Sequence, residues 1–195
     1  MGGERNGSPH HDRCTAATFA DVADPAVLAA EQSRVLELIA AGEPVDTCLT
    51  ELCLSIERID PRLRACATML DRDRARFEHA VAPSIPGVRE AIVGRALGEV
   101  PPIPCKHALA ADGTVETHDL GADERWPREV RAMLIASGVR AGFSLPIIES
   151  SMPSAGTIFL GFDEAREPTE WDRRLALLGA SVMRVLLRRE RVDSD

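Results

Sequence analysis

Residues Arg140–Glu149 read R-A-G-F-S-L-P-I-I-E, a strand-like run whose neighbours decide the fold. Upstream stand a loop, D-L-G-A-D-E-R-W, and a short helical stretch over Pro127–Gly138. Downstream come a small-residue turn and a second strand, A-G-T-I-F-L-G-F-D. A closing helix runs from about Thr169 to Arg191, with Pro168 just before it and Thr169 and Asp172 in capping-box spacing.

Further out, Val115–Leu120 reads as a polar edge strand, and Cys105–Ala111 as one helical turn or two. Residues 82–104 form a loop region with a short helical piece near Val88–Val93. Leu63–Leu70 is a near-continuous apolar strand, paired as a hairpin with Ala75–Val81 across the turn Asp71–Arg74. Continuous apolarity implies that both faces of the sheet are covered. Two helices come first, Pro25–Ala41 and Pro44–Ile59. The second repeats Val45, Leu49, Leu52, Ile56 and Ile59 at helical spacing. Residues 1–24 are polar and aperiodic and read as a disordered tail before one domain over 25–192. This order gives an α+β protein: an antiparallel sheet with helices on one face and loops and short helices on the other.

Composition narrows the function. The 195 residues suffice for one buried core, and 45% are hydrophobic. No apolar run approaches the roughly 18 residues of a membrane span. The first residues lack the apolar centre of a secretory signal, and Gly2 lacks the Ser or Thr that myristoylation needs. Five scattered cysteines fit a reducing cytoplasm better than a disulfide framework. A net charge of −8 with no basic stripe argues against nucleic acid. Lys106 is the only lysine among 23 basic residues, a bias that reads as genome composition.

The sequence resembles the GAF family of small-molecule sensor domains. The resemblance spans about Glu31 to Arg189. It rests on the acidic loop, the tryptophan, G-V-R-A-x-x-S-x-P-I and x-G-T-x-x-L. It rests also on R-V-L-E-L-I-A-A-G-E-P, M-L-D-R-D and A-V-A-P-S-I-P. It implies a sensory domain that binds an unidentified small molecule. It also implies pairing as a homodimer through the first and last helices. Leu177, Met183, Leu187 and Leu36, lying off the main apolar stripes, point to the same pairing. One departure stands out. Where this family subgroup reads G-x-G-x-C-G-T-A, the chain reads P-P-I-P-C-K-H-A, so the glycines that let backbone approach a ligand are gone.

Candidate ligand-binding residues are Cys105, His107, Asp119, Trp126 and Phe143, lining a pocket between the sheet and the segment Gly98–Trp126. Cys105 sits at a helix start beside Lys106. It is a reactive thiolate, a metal ligand with His107, or a small buried hydrophobe. Asp119 holds loop backbone or ligand, and Trp126 caps the pocket or plugs the core. Phe143 and Phe159 floor a pocket or simply pack. Cys48 and Cys53, about 140° apart around their helix, read as core, and so does Cys66. His79 and His118 read as solvated. His10, His11 and Cys14 in the tail have ligand chemistry but no scaffold.

Free methionine sulfoxide reductases share the family fold and resemble the chain at Cys105. They need a further cysteine within the stretch matching Gly121–Ser144, which has none. The N-K-x-x-F-D-E pattern of cyclic-nucleotide binders is absent, as is the cysteine-plus-histidine bilin attachment of phytochromes. No kinase, cyclase or helix-turn-helix segment accompanies the domain. The reading is therefore a standalone cytoplasmic GAF-like sensor, not an enzyme, that signals by contact with a downstream regulatory protein. It assigns no cofactor and no metal. Two alternatives stay open: a redox- or metal-responsive protein centred on Cys105 and His107, or a degenerate GAF domain serving only for dimerisation.

Overall fold

The structure is a computed structural model that describes residues 24–148 and 154–192. The expected disordered tail, with His10, His11 and Cys14, and the end of the expected strand at Glu149 lie outside the described residues. In chain order the elements are α1 (Pro25–Ala40), α2 (Val45–Ile59), β1 (Leu63–Leu70), β2 (Phe77–Val81), α3 (Val88–Ile92) and α4 (Pro104–Ala111). They continue with β3 (Val115–Thr117), α5 (Arg128–Ala136), β4 (Ala141–Pro146), β5 (Gly156–Phe162) and α6 (Glu170–Val192).

The five strands form an antiparallel sheet in the order β2-β1-β5-β4-β3. Its centre is made by residues 140–162, because β5 pairs on both sides. Phe159 stands opposite Cys66 of β1 and Ser144 of β4. Strand alternation then sorts the side chains. Leu63, Ala65, Ala67, Phe143, Ile158, Leu160 and Phe162 join one core with α1, α2 and α6. Cys66, Leu70, Phe77 and Phe159 join a second core with Ile85, Val88, Cys105, Trp126, Val130 and Leu134 on the opposite face. The sheet is thus buried on both sides, as the unbroken apolar strands required.

The helical layer is tied by polar contacts at its rim. Arg58 of α2 reaches Glu31 of α1 at 2.6 Å, and Arg189 of α6 donates to the carbonyl of Ile39 at 3.2 Å. Asp172, 1% exposed, caps α6: its carboxylate accepts from the Thr169 backbone N–H and hydroxyl, each at 2.7 Å. Thr169 Oγ1 in turn accepts from the Asp172 N–H at 3.2 Å, which completes the expected capping box. Arg166 adds a two-pronged pair to the same carboxylate at 2.6 and 3.1 Å.

Three sequence expectations need correction. β3 stops at Thr117 rather than Leu120, because Asp119 turns the chain: its Oδ1 accepts from the Gly121 N–H at 2.8 Å. His79 is half-buried rather than solvated, its Nδ1 lying 2.7 Å from Asp46 Oδ1. Met183 and Leu187, expected to face a second protomer, are 0% and 5% exposed and belong to the chain's own helix-side core.

Candidate functional site

The second core does not close. Between the sheet and its short-helix layer lies a cavity of about 230 Å³. Cys66 of β1 and Phe159 of β5 form its floor. Ile85 and α3 make one wall, the segment Pro101–Cys105 a second, and α5 residues Val130, Met133 and Leu134 a third. Glu129, exposed at the rim, is the one charged residue among those that line it.

Phe159 reaches this face because two glycines make room. A Cβ on Gly142 would lie 2.9 Å from the Phe159 ring, and one on Gly161 would lie 3.1 Å from it. Either substitution would displace the floor of the cavity.

Cys105 enters at the first turn of α4, just after Pro104, whose missing N–H costs nothing at a helix start. Cys105 is 6% exposed and belongs to the same buried cluster as Cys66, with which it shares the cavity lining. Hydrogen bonding from the neighbouring Cys66 thiol outweighs burial, so the Cys105 pKa is lowered to about 7. Cys66 moves the other way, well above the usual thiol range, because its proton is held by Cys105 and its surroundings are dry. Lys106, the neighbour expected to do this work, points elsewhere and donates to the Val100 carbonyl at 2.6 Å. Beneath the pair, Thr68 and Thr157 share a hydrogen bond of 2.8 Å, while the buried Ser144 hydroxyl makes no close hydrogen bond.

Of the five candidate ligand residues, only Cys105 lines this cavity. Phe143 is on the opposite face of the sheet, its ring centroid 6.1 Å from that of Phe162. Trp126 is 1% exposed and plugs the core, its indole N–H donating to Thr117 Oγ1 at 2.8 Å. His107 is exposed and packs edge-on against Trp126 at 5.0 Å, turned away from the metal pairing considered for it. Asp119 is exposed and holds its own turn. Sequence reading missed Cys66 as a partner of Cys105, and it missed the α5 wall. The 3.6-residue spacing of Val130, Met133 and Leu134 was the available signal for that wall. Among the described residues no group of three or more His, Cys, Asp and Glu side chains is placed to hold a metal ion.

No family model matches the chain. A curated relative is the methyl sulfide methyltransferase-associated sensor of Methanosarcina acetivorans. It is 28% identical over 141 residues, which is 71% of this chain but only 14% of the relative's length. Among solved structures, a protein described as a GAF sensor from Burkholderia vietnamiensis superposes with a TM-score of 0.63. It is 14% identical, over 85% of this chain and 97% of that one. The GAF domain of a phosphoenolpyruvate-protein phosphotransferase from Coxiella burnetii also gives 0.63. It is 11% identical, over 87% and 98%. Free methionine-R-sulfoxide reductase from Neisseria meningitidis gives 0.56. It is 16% identical, over 84% and 85%. Sensors and reductases therefore share this architecture, and the fold leaves both kinds of chemistry open. With the five-stranded antiparallel sheet between two helical layers, these likenesses show that the chain has a GAF-like fold.

Proposed function

We propose that this GAF-like domain is a sensory module that binds a small, uncharged, mostly apolar molecule in the cavity under α3, α4 and α5. The lining carries the reading: hydrocarbon and sulfur surround about 230 Å³, with one carboxylate at the rim. A buried anion there would meet no compensating partner, and a cation would meet only Glu129, exposed at the rim, so a charged ligand is disfavoured. The volume exceeds the roughly 150 Å³ that suffices for benzene in an apolar protein cavity, so a bicyclic molecule fits. Cys105 is the ligand contact retained from the sequence reading. Trp126, His107 and Asp119 support the loops around it.

Output passes through protein contact. In this reading two copies pair along α1 and α6, where Leu177 and Val185 remain 56% and 44% exposed. A regulatory protein reads the rearrangement, and the scattered cysteines favour the cytoplasm. An open cavity favours this reading over a degenerate dimerisation module, whose pocket would have filled with side chains.

Indole is a suitable probe. Its binding to the full chain, followed by thermal shift and calorimetry, should give a saturable rise in melting temperature. Trp126→Phe should bind it as well as the wild type does. If neither indole nor naphthalene raises the melting temperature at millimolar concentration, the ligand reading fails.

A further inference from the structure

The two thiols on the cavity floor carry chemistry that ligand packing does not need. Cys66 comes from the sheet and Cys105 from the first turn of α4, two segments brought together by the fold. Both are free, both are buried at 4% and 6% exposure, and both line the cavity. The two side chains belong to the same buried cluster on the cavity side of the sheet, so the fold brings both thiols to one small space. Cys48 and Cys53, by contrast, stand in the helix-side core, their thiols directed to the carbonyls of Glu43 and Val81.

We infer that Cys66 and Cys105 form a reversible dithiol–disulfide site that reacts with an apolar organic hydroperoxide admitted to the cavity. It rests on the reading that the cavity takes in an apolar molecule.

Cys105 is the attacking sulfur. Of the two, Cys105 is the one whose pKa is lowered, which favours the thiolate, the form that reacts. The thiolate attacks the outer oxygen of the hydroperoxide. An S–O bond forms, the O–O bond breaks, and the departing alkoxide takes a proton from solvent to leave as the alcohol. Cys105 is now a sulfenic acid. Cys66 then attacks the Cys105 sulfur. An S–S bond forms, the S–O bond breaks, and hydroxide leaves with the Cys66 proton as water. In sum, two thiols and one hydroperoxide give one disulfide, one alcohol and one water. The dithiol loses two electrons and the peroxide gains them. A cellular thiol reverses the step by exchange.

The geometry gives the reaction a consequence. The new bond would staple the start of α4 to β1 across the floor of the cavity. The Pro101–Cys105 wall would then be held down, so an oxidised domain and a ligand-filled one would differ in the same place.

The test uses the reduced 195-residue chain, treated with cumene hydroperoxide or with hydrogen peroxide, followed by intact mass and peptide mapping. The expected result is a loss of about 2 Da located in one Cys66–Cys105 crosslinked peptide, the two hydrogens of the dithiol. Cumene hydroperoxide should react roughly tenfold faster or more than hydrogen peroxide, because its apolar body is buried as it enters. Cys66→Ser should leave a sulfenic acid on Cys105 that dimedone traps, and Cys105→Ser should give neither product. Three results would overturn the inference: no Cys66–Cys105 crosslink under conditions that oxidise Cys14, equal rates with the two oxidants, or oxidation of Met133 with the thiols intact. Indole binding on the same preparation separates the two readings. Binding without a crosslink sinks the dithiol site alone, and absence of binding sinks the cavity reading first.

Discussion

Filling the cavity from inside gives the sharpest test of whether it is real space. Ala91 on α3 lines it and is half-buried, so Ala91→Leu directs three more carbons into the void. At about 24 cal/mol per Å³, an unfilled apolar cavity of this volume would carry about 5.5 kcal/mol if it were fully enclosed. Three buried carbons recover about 2.4 kcal/mol of that at 0.8 kcal/mol each. Ordering the leucine side chain costs about 0.5–1 kcal/mol. The expected gain is therefore about 1.5 kcal/mol, which for a chain of this size raises the melting temperature by about 3–6 °C. The same leucine occupies the room indole needs, so the indole-dependent shift should disappear. Differential scanning calorimetry with and without indole reads both effects. A lower melting temperature in the free protein would mean the leucine overpacks a site that is already full. A higher one with unchanged indole affinity would place the ligand elsewhere.

Asp172→Asn should destabilise the protein by about 3 kcal/mol at pH 7, summing a lost helix cap and charge-assisted hydrogen bonds from Arg166. Burial alone would raise the Asp172 pKa, but the bonds from Arg166 and Thr169 outweigh it and leave it below the ordinary 3.8. Its contribution is therefore complete above about pH 4 and lost as pH falls through the lowered folded value, so urea titrations of wild type and variant should converge in strong acid. Leu177→Glu, at a site 56% exposed, should convert a dimer to a monomer by light scattering while leaving monomer stability within about 0.5 kcal/mol. A wild type that is monomeric at high concentration would end the pairing reading, and Leu187→Glu would be uninformative because Leu187 is buried in the chain's own core.

The sheet was largely legible because strand periodicity is short and β5 is bounded by turn residues. Leu63–Leu70 was read at its observed ends, and α6 was anchored by a capping box whose geometry is local. Edges were harder. Val115–Leu120 carries strand-like residues throughout, but the Asp119 side chain bonds to the Gly121 N–H and bends the chain away after Thr117. The pocket face was harder still. Alternation says that Phe143 and Ser144 point to opposite sides, but not which side holds the cavity. That depends on register, with Ser144 and Cys66 both opposite Phe159. Of the two phenylalanines offered as a floor, Phe159 makes it with Cys66, and Phe143 packs on the helix side.

The thiol site shows a different limit. A helix start and a neighbouring lysine were local reasons for an acidic Cys105; the Cys105 pKa is lowered, but the main cause is not local. Lys106 spends its charge on the Val100 carbonyl, and the bond that matters comes from Cys66, a residue whose place on an apolar strand marked it only as core. With the proton kept on Cys66, the pair favours charge on Cys105 against the opposing effect of burial. The two cysteines therefore titrate as a pair. Burial by itself opposes the charged form of Cys105, so the Cys66 interaction acts against it, and in dry surroundings such an interaction is stronger than it would be in water.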